Sequence, residues 1–322
     1  MQTLIQAFKT ELKSLTRFFA VNVFNVISPE LDPRIVDVAG SLLTGNRGKE
    51  YLKVVREGEK VLRKGERSFK FYQLFSEVEG EINVVAVDET VMTVGEKELR
   101  KVEGFQLCTG KRKAMKIRSV DLVSPLRLPL LEELADLTSD SPSQFLLRSV
   151  SEVLEHFKID YVVADAGFLS LKVIKEMPVK TVVRGKSNLK GFKELSNLPL
   201  VMRRREVEDR VYVAYRTLKF KDLYYYEVIY VKEKPKHFTF VANFEGDPYD
   251  LAELYRLRWQ IEEGFKVRKA RIRYVRKLSN KIFLYLYYTV LDSAWNLVNY
   301  LLFKFKSTQR KLLSFDSFVK LL

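Results

Sequence analysis

Three short runs constrain this chain more than anything else in it: INVVAVDET at 82–90, DYVVADAGF at 160–168 and VKTVVRGKSN at 179–188. Each centres on β-branched and small apolar residues with no alternating polar position, the pattern of a strand covered on both faces. Such strands belong to a sheet flanked by helices, so the fold class predicted is α/β. Each run ends in polar residues. Asp88 closes the first, with Glu89 and Thr90 beside it; Asp165 closes the second; the third delivers Arg184 and Lys186. Strand ends of open α/β sheets are where ligands bind. Arg184 and Lys186 read equally well as phosphate contacts or as a basic loop.

The rest of the chain is arranged around these runs. Residues 1 to about 80 read as a helical N-terminal domain: Leu4, Ile5, Phe8, Leu12, Leu15 and Phe19 recur at helical spacing, and further helical patterns cover about 49–64 and 67–78. Use of this domain for binding DNA ends is one reading; a solvated helical surface is the other. Short antiparallel strands rich in basic residues are expected from Glu98 to about Ser124. A Pro-punctuated connection, SPLRLPLLEELADLTSDSPSQ, then leads to a helix at about 143–157, and Gly167 suits a tight turn into a helix near Leu169. Alternating patterns at about 198–243 predict a β-rich insertion, after which Asp250 begins a capped helix. A helix at about 281–303 is strongly apolar, but Asp292, Asn296 and Asn299 within it make membrane insertion costly. It reads as a core helix with Asp292 on a polar edge, followed by a helical tail at 306–322.

The stretch YRLRWQIEEGFKVRK, Tyr255 to Lys269, is expected to form one helix. At roughly 100° per residue, Tyr255, Arg258, Glu262, Lys266 and Lys269 fall within about 80° of arc. Leu254, Leu257, Ile261 and Phe265 gather on a separate apolar stripe, and Trp259 sits beside the charged face. Taken alone, the helix is either an amphipathic surface helix with an Arg258–Glu262 pair or a catalytic one, its carboxylate for a metal and its cations for phosphates.

Charge supplies the partner. The formal net charge of +15 calls for a polyanion, nucleic acid first and an anionic membrane surface second. From Leu251 onward 15 Lys and Arg face 5 Asp and Glu, so the partner should lie along that part of the surface. The single cysteine, Cys108, cannot form an intrachain disulfide and reads as a buried or half-buried structural residue in a reducing cytoplasm. With only His156 and His237, histidine-rich zinc sites and histidine-dependent nucleases are disfavoured, and any metal would be held by oxygen, which favours magnesium or manganese.

Asp88, Asp165 and Glu262, in a β-β-β-α-β-α-β-α order, describe a ribonuclease-H-like mixed sheet with two aspartates at strand ends and a third acid from a later helix. At these residues the chain resembles the DDE transposases of the insertion-sequence-4-like group. Tyr255, Arg258, Glu262 and Lys269 meet that group's Y-x2-R-x3-E-x6-K spacing, ADAGF and VAVDET resemble its two aspartate motifs, and FVAN resembles the strand preceding its signature helix. The similarity spans about 80–305, a catalytic domain that begins near residue 81.

The resemblance implies that Asp88, Asp165 and Glu262 bind two Mg2+ or Mn2+ ions, and that Tyr255, Arg258 and Lys269 contact phosphates at a cleaved transposon end. Lys266, Arg184 and Lys186 would add cations there, and Trp259 either stacks on an extruded base or packs as core edge. Three carboxylates are a common way to hold the metal pair that phosphodiester chemistry needs. The expected activity is cut-and-paste transposition on double-stranded DNA, at terminal inverted repeats and target, by a homodimer at the prokaryotic nucleoid with no membrane role. A catalytically silent DNA-binding protein and a metal-dependent nuclease without strand transfer remain alternatives.

Overall fold

The computed structural model describes residues 68–75, 78, 80–93, 107–109, 112–135, 141–273, 275 and 278–306. The helices expected up to about residue 64 and the tail from 307 lie outside the described residues, as does the side chain of Cys108.

The three apolar runs form the centre of one large sheet. Strand β1 (Ser68–Lys70) is followed by β2 (Val84–Thr93), β3 (Leu107–Thr109), β4 (Arg112–Ser124) and β5 (Leu128–Leu134), then helix α1 (Pro142–Leu154) and β6 (Tyr161–Ala164). Helix α2 (Leu171–Glu176), β7 (Lys180–Arg184) and α3 (Lys190–Ser196) complete the first half. The sheet runs β1-β5-β4-β2-β6-β7, with β3 on β4. β2 pairs in parallel with β6 and β6 with β7, whereas β4 and β5 are antiparallel to their neighbours. This is the mixed sheet of a ribonuclease-H-like domain. Val85–Val87, Val162–Ala164, Val182 and Val183 are fully buried, which is why these segments carry no polar alternation.

Helices cover both faces, and the pleat decides what each face presents. Arg118 and Glu133, cross-strand partners, turn toward α1, where Arg118 lies over the Phe145 ring and Arg148 Nη2 meets Glu133 at 2.8 Å. Ser119 and Glu132, the adjacent pair, turn the other way. There Glu132 meets Arg268 of α5 (Trp259–Ile272) and Thr289 of α6 (Leu278–Lys306), helices that follow α4 (Pro248–Arg256). No helix among the described residues is long and apolar enough to cross a membrane.

The β-rich insertion consists of β8 (Val201–Val207), β9 (Arg210–Phe220), β10 (Leu223–Val231) and β11 (Pro235–Ala242). β11 pairs antiparallel with β7, so the four strands extend the main sheet. Asn243, the last residue of FVAN, anchors the opposite end of β7 from Arg184: its Oδ1 accepts from Thr181 N–H at 2.8 Å and its Nδ2 donates to Val179 O at 3.0 Å. Helix α3 packs on this extension through Gly191, where an added Cβ would fall 2.3 Å from the ring of buried Tyr225. Tyr225 is held edge-on by Phe192 at 5.1 Å and cannot retreat. Gly191→Ala is therefore expected to destabilise the protein by about 1–3 kcal/mol in urea denaturation.

Several expectations are corrected. LPLLEEL, taken as a connection, is strand β5 with all seven residues buried. The helical pattern at 67–78 gives way to β1, paired with β5, and a 3-10 turn at Phe71–Leu74, because Phe69, Phe71, Tyr72 and Phe75 all enter the core. β2 does not stop at Asp88 but runs on to Thr93 against β4. Asp292 is on no polar edge; it is fully buried. Asp247, not Asp250, caps α4, accepting from Tyr249 N–H at 3.0 Å and Asp250 N–H at 3.2 Å. A tight 3-10 turn does follow Asp165, at Ala166–Phe168, but a Cβ at Gly167 would meet nothing within 4 Å, so the turn does not need that residue to be glycine.

Candidate active site

Register brings the two aspartates together. Val87 of β2 lies opposite Ala164 of β6, so Asp88 and Asp165 are the next residues on neighbouring strands. β6 ends there, and a 3-10 turn at Ala166–Phe168 carries the chain away. β2 continues, so Asp88 projects from mid-strand at the point where its parallel neighbour stops.

Glu262 arrives from α5. Tyr255 to Lys269 is not one unbroken helix: α4 ends at Arg256 and α5 begins at Trp259. Leu257 and Arg258 nevertheless keep right-handed helical backbone angles, so Tyr255, Arg258 and Glu262 still share a side. Ile261 and Phe265 are buried as expected of the apolar stripe, while Leu254 and Leu257 are half-buried.

Asp88, Asp165 and Glu262 line one cavity of about 290 Å³, together with Glu89, Thr90, Arg258, Phe265, Lys266 and Lys269. Arg258 occupies the middle of the acids. Its Nη1 donates to Asp88 Oδ2 and its Nη2 to Glu262 Oε1, both at 2.5 Å, and its Nε donates to the Tyr255 hydroxyl at 3.1 Å. That hydroxyl donates in turn to Asp165 Oδ1 at 3.1 Å. One guanidinium thus touches two of the acids directly and the third through a phenol.

Burial dominates the electrostatics. It pushes the Asp88 carboxyl up to about 6, with Asp165 and Glu262 adding to the rise and Arg258 and the Glu89 N–H opposing it. Burial likewise raises Tyr255 to about 12 and lowers Lys269, the latter against the attraction of Asp88. Arg258 is raised despite burial, through Tyr255, Asp88, Glu262 and Asp165. Glu89, the fourth acid, is ion-paired with Lys116, lies 3.7 Å from Arg118 Nε, and donates its own N–H to Asp88 Oδ1 at 2.8 Å.

The family described as Transposase DDE domain matches residues 79–291, from just before β2 into α6. The chain belongs to that family. A comparison with curated proteins found no match. Transposase function, DNA as substrate and a general use of divalent metals come with membership of the DDE transposase family.

In this transposase the metal question turns on Arg258. Among the described residues, no group of three or more acids, histidines or cysteines stands ready to enclose an ion. The cavity acids are nonetheless hard oxygen donors of the kind magnesium and manganese take. A guanidinium already bonds Asp88 and Glu262, so the donors suit such a metal in their chemistry while Arg258 holds the place between them.

The other residues singled out in the sequence are spread around this cavity. Lys266 and Lys269 line it, while Tyr255 is buried beneath it. Arg184, at the end of β7, stacks over Phe238 at 5.1 Å. Lys186 is exposed beyond β7 and does not line the cavity. Trp259, 55% exposed, is no core-edge residue; Lys266 Nζ lies 5.1 Å from its ring centre.

Sequence reading missed a second cluster of charge behind α5. Arg268 of α5 and Asp121, Glu132 and Asp292 are fully buried, and Arg127 nearly so. The signal available was Asp121, Arg127 and Asp292, each a lone charge in an otherwise uncharged stretch; Arg268, among many charged neighbours, gave none. Three acids there face two guanidiniums. Burial pushes Glu132 up to about 7 against Arg268, with Asp121 and Asp292 adding to the rise and the Thr289 hydroxyl opposing it.

Between the ordinary glutamate range and about pH 7, the folded transposase would therefore hold a proton on Glu132 that the unfolded chain releases. Its stabilising contribution is complete below the ordinary glutamate range and is lost as pH rises toward about 7. Between pH values of about 5 and 7.5, wild type is expected to lose about 1–3 kcal/mol more than Glu132→Gln does in urea denaturation.

Proposed function

We propose that this transposase belongs to the insertion-sequence-4-like group and moves its element by cut and paste, cleaving at terminal inverted repeats and joining the freed 3′ ends to target DNA. The observation that carries this reading is the meeting of Asp88, Asp165 and Glu262 in one cavity around one guanidinium. Two magnesium or manganese ions held by these three acids would supply Lewis-acid polarisation of the scissile phosphate and of the attacking and leaving oxygens.

The chain's own residues do the rest. Arg258 leaves the acids and turns with Lys266 and Lys269 toward phosphate. Tyr255 steadies Arg258 and Asp165, Arg184 and Lys186 take flanking phosphates, and Trp259 stacks on a base displaced from the duplex. Residues 1 to about 80 bind the DNA end, and two ends are held by a homodimer.

The test uses a labelled duplex carrying the element's terminal repeat, a supercoiled target plasmid and Mg2+. Label joined to nicked or linear plasmid is the expected product. Plasmid cleavage without joined label would leave a nuclease, and tight binding without any metal-dependent product would leave a silent DNA-binding protein. Five cations on phosphates predict that log affinity falls with log salt at a slope of about −4 or steeper, measured by fluorescence anisotropy.

A further inference from the structure

We propose that Arg127 and Arg268, neither of which lines the cavity, are positioning residues that fix the rotation of α5 and so set where Glu262 stands relative to Asp88 and Asp165. The proposal rests on the reading of Glu262 as one of the working acids.

The two arginines grip α5 on either side of Glu262. Arg127 Nη1 donates to the Gln260 carbonyl at 3.2 Å, in the first turn of the helix, and its Nη2 donates to Asp292 Oδ1 of α6 at 2.5 Å. Arg268, six residues beyond Glu262, donates Nη1 to Glu132 of β5 and to the Tyr285 hydroxyl, the latter at 3.3 Å. Its Nη2 lies 3.3 Å from Asp121 Oδ2 of β4 and 3.7 Å from Asp292 Oδ2. The helix is thereby tied to β4, β5 and α6 at once.

Between the two guanidiniums lies Gly264. A Cβ there would come within 3.3 Å of Arg268 Nη2 and 3.4 Å of Arg127 Nε. Ile261, Phe265 and Ile272 seat one narrow face of α5 on the core, and the two forks add directional bonds at both ends of that seat. Side-chain ends ride about 5–6 Å from a helix axis, so a turn of about 20° would carry the Glu262 carboxylate about 2 Å. Burying paired charges gains little stability over apolar packing. A planar guanidinium fork does impose direction, which an apolar side chain does not.

Two variants test this. Gly264→Ala keeps every charge and inserts one methyl between the forks; Arg268→Met/Glu132→Gln removes the main fork with its partner. Both are read against wild type and Glu262→Gln by thermal unfolding, by Mn2+ binding without DNA from electron paramagnetic resonance, and by cleavage kinetics in Mg2+ and in Mn2+. Expected are folded proteins, with Mn2+ affinity weakened about tenfold, as in Glu262→Gln, and Mg2+ kcat lowered at least tenfold at unchanged KM for DNA in the double variant, and with smaller losses of the same kind in Gly264→Ala, whose methyl asks the two guanidiniums to give by only tenths of an ångström. Mn2+, which tolerates distorted ligand sets better than Mg2+, should restore most of the rate.

Wild-type metal affinity and wild-type Mg2+ kcat in folded Gly264→Ala and the double variant would overturn the proposal. So would a loss explained by unfolding alone, with Mn2+ affinity intact in the folded fraction. A wild type that binds Mn2+ through Glu262 yet cuts no DNA would overturn the transposition reading, while weakened Mn2+ binding in the two variants would still support the positioning role.

Discussion

Alanine at Asp88, Asp165 or Glu262 is expected to lower metal-dependent cleavage at the transposon end by about a thousandfold or more, with the end still bound. The three acids line one cavity, and two of them share a single guanidinium, so they act as a unit. Groups that work as a unit are non-additive, so the double variants should be scarcely slower than the singles. DNA affinity should hold or rise, because each change removes a negative charge from the surface proposed to bind phosphates. Cleavage of labelled end duplex under single-turnover conditions, beside anisotropy on the same duplex, separates the two effects. Full cleavage by any of the three variants would remove that residue from the working set.

The second large effect concerns Arg258. In the metal-free protein its guanidinium is the cation among three acids, one of which, Asp88, burial already pushes toward neutrality. Arg258→Ala leaves Asp88 and Glu262 without that partner, so the metal-free variant should unfold several degrees below wild type. A divalent ion would then enter without having to displace an arginine. Saturating Mg2+ should accordingly raise the Tm of the variant by about 3–6 °C more than that of wild type. Affinity for the DNA end should fall by about tenfold if Arg258 makes the phosphate contact proposed for it. An equal Mg2+ shift in both proteins would show that the guanidinium does not stand where the ion binds.

Much of the frame could be read from the sequence because burial on two faces leaves a mark that needs no partner to interpret. The runs at β2, β6 and β7 carry it, and so does the spacing of Tyr255, Arg258 and Glu262, which survives the break at Leu257–Arg258 because both residues stay helical. β5 could not be read in that way. LPLLEEL combines leucines and glutamates that favour a helix, and it becomes a buried strand only because Arg148 and Arg268, distant in sequence, satisfy Glu133 and Glu132. The same blindness placed Asp292 on a polar edge, since nothing local announces that Arg127 will meet it. Lys186 and Trp259 stand outside the cavity because sequence spacing says which side of an element a residue is on, not how deep the wall beside it will be.

The pairing of β11 with β7 carries a consequence for any attempt to miniaturise this recombinase. Excising Val201–Ala242 would not trim an appendage. It would bare the flank of the strand that bears Arg184, offering naked amide and carbonyl groups to the next molecule in solution. A shortened version would need a substitute ribbon along that flank, or it would be lost to precipitation before its chemistry could be assayed.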